Sequence, residues 1–164
     1  MKLIICVLSI TIAGILFLST VSSNAQEGTK ISEAELSKIF EEHIKWHETE
    51  RKEGQRADLR GANLIGSYLH KTDLEGANLS FTNPWGANLE GANLTGANLE
   101  GAKLVWIALR GAEGLTIEQL SRAKTLYTAA LDPELMEQVK EKCPHLLKEP
   151  KDADPKEGEP EFVE

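Results

Sequence analysis

From Ala57 to Gly111 the chain repeats with a period of five. The units run ADLRG, ANLIG, SYLHK, TDLEG, ANLSF, TNPWG, ANLEG, ANLTG, ANLEG, AKLVW and IALRG, without insertion or deletion. A fixed short period means one structural unit stacked on itself, which constrains the fold more tightly than composition does. A period of five matches neither the 3.6 of an amphipathic helix nor the 2 of a strand. It fits a coil that bends at regular intervals and turns each central leucine inward. Small openers such as Ala57, Ala77 and Ala97 enter a slot too tight for a larger side chain. Glycines close most quintets and suit sharp corners. Asn and Asp in the second place suit turns, because their side chains hydrogen-bond nearby backbone.

Seven of the quintets carry the full Ala/Thr, Asp/Asn, Leu core. Residues 57–111 thereby resemble the pentapeptide repeat family, whose motif is A(D/N)LXX. The resemblance implies a mainly β fold, a right-handed quadrilateral parallel β-helix in which four quintets make one square turn. Each quintet then stacks on the fourth one after it, in columns. The eleven quintets give about 2.75 turns, roughly 13 Å at the strand spacing. So short a stack has two open ends that need covering. The resemblance also implies a binding or scaffold module, with no catalytic residues and no cofactor.

Residues 1–25 read as a signal peptide. Lys2 supplies the positive start, Leu3 to Leu18 the apolar stretch, and Ser23-Asn24-Ala25 a cleavage site after Ala25. An uncleaved anchor is the alternative. The address is export across the inner membrane, to the periplasm or outside, with no membrane insertion after cleavage. Removal of Lys2 with the signal takes the formal charge from −8 to −9 (−8 − 1). Acidity of this size argues against nucleic acid and anionic lipid as partners. Some family members use an acidic rod to imitate DNA before gyrase; a short, exported coil fits that role poorly. Cys6 leaves with the signal, so Cys143 is the lone thiol.

Flanking segments supply the covers. Ser32 and Glu35 form a capping box that opens a helix from about Glu33 to Arg51, within an N-terminal cap at 31–54. Leu36, Ile39, Phe40, His43, Ile44 and His47 share one face of it. After Gly111 the period fails, and residues 112–147 read as a C-terminal cap with two helices. Thr116 and Gln119 make a second capping box; Leu126 to Leu131 is a further extended edge; Asp132-Pro133 starts a helix running to about Lys142. Residues 148–164 hold seven acids, three lysines and three prolines, and read as a disordered acidic tail whose only anchors are Phe162 and Val163.

Sorting the outward fourth and fifth places by circuit isolates one apolar face. It contains Ile65, Trp85 and Val105, with Trp106 at one corner and Phe81 at the other, while the neighbouring columns are polar, such as His70, Glu90 and Arg110. Such a patch is the candidate interaction face, for a protein partner or a homodimer. It is equally open to cover by the chain's own caps or tail, with a small ligand stacked on the tryptophans as the lesser alternative. Pro84 and Ile107 break the pattern beside it, which predicts a local distortion that seats Trp85. His43 and His47, four apart on one helix face, give the alternative function, a small metal- or ligand-binding accessory protein of the periplasm. No third ligand is placed by spacing.

Overall fold

The computed structural model describes residues 31–151. Residues 1–25, read above as a signal peptide, with Cys6, and the segment beyond Lys151 lie outside the described residues. None of the helices among the described residues is long and apolar enough to cross a membrane.

The quintets stack as parallel pairs, each with the fourth one after it, from Asp58 with Asn78 to Asn93 with Glu113. One circuit therefore takes four quintets, which we call faces A, B, C and D, starting at Ala57, Ala62, Ser67 and Thr72. Pairing occurs as single bridges, and no longer strand forms among the described residues. The reason is local: a corner in every quintet leaves room for only one bridge per side. Rungs repeat regularly, with Leu59 N to Asn78 O at 2.9 Å and Asn78 N to Ala57 O at 2.8 Å. Central leucines and small openers form the core; Leu74, Leu94, Ala77 and Ala92 have no accessible surface. Second-place Asn and Asp side chains accept from the amide two positions on, as Asn88 Oδ1 does from Glu90 N at 2.9 Å. They also link courses, with Asn78 Nδ2 donating to Asp58 Oδ1 at 2.9 Å.

Stacking runs past Gly111, beyond the expected end of the solenoid. Glu113 pairs with Asn93; the register then lengthens by two, so that Lys103 pairs with Thr125 and Ala108 with Ala130. The added pair of positions accommodates a helical turn, so a strict count of fives loses the register there while the coil itself continues.

Helix α1 spans Glu33–Glu48 and opens with the Ser32–Glu35 capping box. It stops short of the expected Arg51, because Thr49 turns its hydroxyl back onto Lys45 O at 2.7 Å and Glu50 and Arg51 take positive φ. Leu36, Phe40 and His43 are buried where α1 meets the coil. Gly54 lets the chain double back: a Cβ there would lie 2.6 Å from Trp46 N.

At the other end, α2 spans Ile117–Leu120 and stands where face A lacks a fourth course. Helix α3 spans Pro133–Lys142, followed by a 3-10 turn at Pro144–Leu147. Asp132 precedes α3 but makes no side-chain cap bond to it. Its carboxylate instead accepts from Gly111 N, at 3.1 Å for each oxygen, and so fastens α3 to the coil. Cys143 is a buried free thiol.

Candidate functional site

Face B is built from residues 62–66, 82–86, 102–106 and 124–128. Its fourth-place column runs Ile65, Trp85, Val105 and then Tyr127, which the lengthened register hides from a count of fives. Trp106 N donates to Tyr127 O at 3.2 Å, in keeping with that register. The structure does not present the predicted residues equally. Ile65 and Trp85 are half-buried, Phe81 is 53% exposed and Trp106 40%, whereas Val105 is only 8% exposed. Val105 therefore leaves the outward set.

Pro84 explains the change. At its position every neighbouring face uses the central leucine's amide to reach the course above. Proline has no amide, so Lys103 O lacks that donor. Val105 N takes it instead, at 2.9 Å, in a tight local turn. The turn lies one course above Pro84, and Val105 within it is covered although it stands outside the core cluster of leucines and small openers.

The corners of this face carry the aromatic side chains of Phe81 and Trp106, where most other corners of the quintets carry glycine and one carries Lys71. Phe81 and Trp106 have φ of 57° and 54°. A left-handed backbone costs a side-chain-bearing residue roughly 1–2 kcal/mol. Phe81 lies flat over the next corner: a Cβ on Gly101 would come within 2.6 Å of its ring. Arg60 sits over the same ring, 5.6 Å from the centroid. Face B carries Lys103 and Lys124 and no Asp or Glu, while faces A, C and D each carry carboxylates.

The neighbouring polar column of His70, Glu90 and Arg110 forms no ion pair among the described residues. His70 instead tilts against Tyr68, ring centroids 5.8 Å apart, and its Nδ1 is buried without a hydrogen-bond partner.

The second candidate, on α1, is pulled apart by the fold. His43 is 1% exposed; its Nδ1 accepts from Ala57 N at 3.2 Å, and its ring stacks on Trp46 at 5.6 Å. Its Nε2 is buried without a hydrogen-bond partner. Burial, above all, holds the His43 pKa below its usual value, with His47 and Arg56 acting the same way and Asp73 and Glu75 opposing. His47 faces outward to Glu75 at 3.0 Å and Asp73 at 3.7 Å. Glu75 also holds Arg51 at 3.1 Å, and its carboxyl is kept below the usual range, first by the His47 hydrogen bond. No group of three or more His, Cys, Asp or Glu placed to hold a metal occurs among the described residues. The cluster is a clasp between α1 and face D.

Nothing among curated proteins matches the chain. A solved pentapeptide repeat protein of the cyanobacterium Cyanothece 51142 is 39% identical, with a TM-score of 0.35, over 48% of this chain and 49% of that one. HetL, a pentapeptide repeat protein involved in heterocyst differentiation regulation in Nostoc sp. strain PCC 7120, is 35% identical, with a TM-score of 0.22, over 46% of this chain and 35% of that one. The chain thus spans half or less of the length of these two proteins. The family model for pentapeptide repeats matches 8 copies over residues 55–83 and 72–111. Residues 55–111, with their circuit of four quintets, are thus a run of pentapeptide repeats.

Proposed function

We propose that this chain is a non-catalytic binding module of the cell envelope, exported by residues 1–25, that engages a protein partner or a second copy of itself through face B. The repeats are read as a right-handed quadrilateral coil, closed by α1 at one end and by α2, α3 and the 3-10 turn at the other. One observation carries the proposal. Face B alone combines exposed aromatic corners with an absence of carboxylates, in a chain of net charge −8. Two of those aromatics, Phe81 and Trp106, hold a backbone that glycine adopts at lower cost. Strain retained at a surface position points to a role other than stability. Aromatic side chains desolvated at the centre of a patch also contribute most to protein binding.

The test replaces Trp85 and Trp106 by Ser in the full chain. Sedimentation reports self-association, and capture from envelope extract reports partners. Loss of either, with the unfolding midpoint kept, supports the proposal. A chain that keeps both, or that simply melts, makes the face a structural element. Mass determination of the exported chain checks cleavage after Ala25.

A further inference from the structure

We propose that α1 is an acid-released cover on the lower end of the coil: protonation of His43 detaches α1 from the first course while the courses above stay stacked. This stands independently of face B. The contact itself sets the chemistry. His43 Nδ1 accepts from Ala57 N at 3.2 Å, so that nitrogen carries no proton and the ring hydrogen sits on Nε2. Nε2 is buried without a hydrogen-bond partner among the described residues. An imidazolium donates from both nitrogens. Its Nδ1–H would face the N–H of Ala57, and its Nε2–H would still lack an acceptor. The residue is 1% exposed, so water does not replace either partner while α1 is seated. Of the charged groups facing the ring, Asp73 and Glu75 on face D favour its protonation, while His47 on α1 and Arg56 before the first quintet oppose it.

The helix is separable from the coil. Among the described residues no backbone hydrogen bond joins Glu33–Glu48 to residues 57–111. Besides the buried Leu36 and Phe40, α1 is held by His43 and by His47, which meets Glu75 at 3.0 Å. A protonated His47 tightens its hold on Glu75 as pH falls, but an exposed pair shifts an equilibrium by no more than about fivefold. The buried ring outweighs it. Below about pH 6.5 the released ring binds a proton that the seated ring refuses, so each further unit favours release about tenfold. Release bares the first course, where Asp58, Asn63, Tyr68 and Asp73 begin the ladder and pair only with the course above. An uncovered edge of that kind is open to another chain.

Amide exchange of the full chain tests this, read as protection factors so that the intrinsic pH dependence of exchange is removed. Between about pH 6.5 and 4.5, the amides of Ala57 and of the middle of α1 should lose protection about tenfold per unit. Leu79 and Leu89, whose amides donate to Asn98 O and Ala108 O in the stacked courses, should keep theirs. His43→Asn offers Ala57 an acceptor that does not titrate, and should hold α1 protection level across the range. His47→Gln should keep the fall seen in the parent. In the parent, α1 and coil amides losing protection together, or neither losing any, overturns the proposal. An equal fall in His43→Asn, or a flat profile in His47→Gln, assigns the titration to another group and overturns it as well. If His43→Asn is already released at neutral pH, the parent and His47→Gln profiles decide.

Discussion

Gln119 is where the coil's upper end is most exposed to test. Along face A each opener's carbonyl accepts from an amide one circuit above, as Ala77 O does from Asn98 N at 2.9 Å. Above Ala97 there is no such course, because α2 stands in its place. The Gln119 side chain supplies the missing donor: Nε2 reaches Ala97 O at 2.9 Å and Leu94 O at 2.8 Å. Its Oε1 meanwhile accepts from Thr116 N at 2.9 Å in the capping box. Gln119→Met keeps the shape and removes all three bonds. An unsatisfied Ala97 carbonyl costs about 1–3 kcal/mol, and Leu94 O, which keeps its bond from Ala97 N, loses about 0.5–1.5 kcal/mol. The cap contributes about 1 kcal/mol more. Because the site is only half-buried, we expect a loss of about 2–4 kcal/mol, a large share of the roughly 5–15 kcal/mol that a domain possesses. Gln119→Glu retains the box but turns a carboxylate on two carbonyls. That environment raises the folded-state pKa of the new acid, so its deficit is greatest at neutral pH and shrinks as pH falls toward the ordinary Glu value of about 4.3. Urea unfolding followed by circular dichroism reads both variants as midpoint shifts at constant slope. A Met variant within about 0.5 kcal/mol of the parent, the usual range for a plain surface change, would refute the substitution of side chain for strand.

Three further outcomes follow from the same geometry. Gly101→Ala should cost about 2–4 kcal/mol, combining overpacking against Phe81 with a left-handed backbone. Placed on Phe81→Gly it should cost only the backbone part, and equal losses in both backgrounds would remove the ring from the account. His43 is held neutral by burial, so its folded-state pKa lies below the unfolded one, near 6.5. Stability attached to it is complete above about 6.5 and lost as pH falls, because the unfolded chain binds more protons. His43→Gln should flatten that slope between about pH 8 and 5, and an unchanged slope would assign it elsewhere. Pro84→Ala restores an amide that competes for Lys103 O. Hydrogen exchange at the Val105 amide should accelerate, and unaltered protection would show that Pro84 does not set the turn.

The count of fives by itself determined the repeating unit and its regular bend, while the circuit of four quintets came from the resemblance to the pentapeptide repeat family and is seen in the pairing of residues 20 apart. The inward leucines, the small openers and the turn-forming Asn and Asp were legible for the same reason: each is a local requirement repeated in every quintet. The capping boxes at Ser32 and Thr116 were legible too, since their partners Glu35 and Gln119 lie within one helical turn. Face B was only partly so. Sorting by circuit gathered Ile65, Phe81, Trp85 and Trp106, but it also gathered Val105, which is covered and whose amide takes the Lys103 carbonyl that Pro84 cannot reach. It omitted Tyr127, because α2 lengthens the last circuit. His43 and His47 share a helix face in sequence, yet one meets the Ala57 amide and the other a carboxylate on face D. Tertiary structure alone decided these matters, because each depends on which donor or acceptor from a distant quintet remains without a partner, and spacing along the chain does not carry that information.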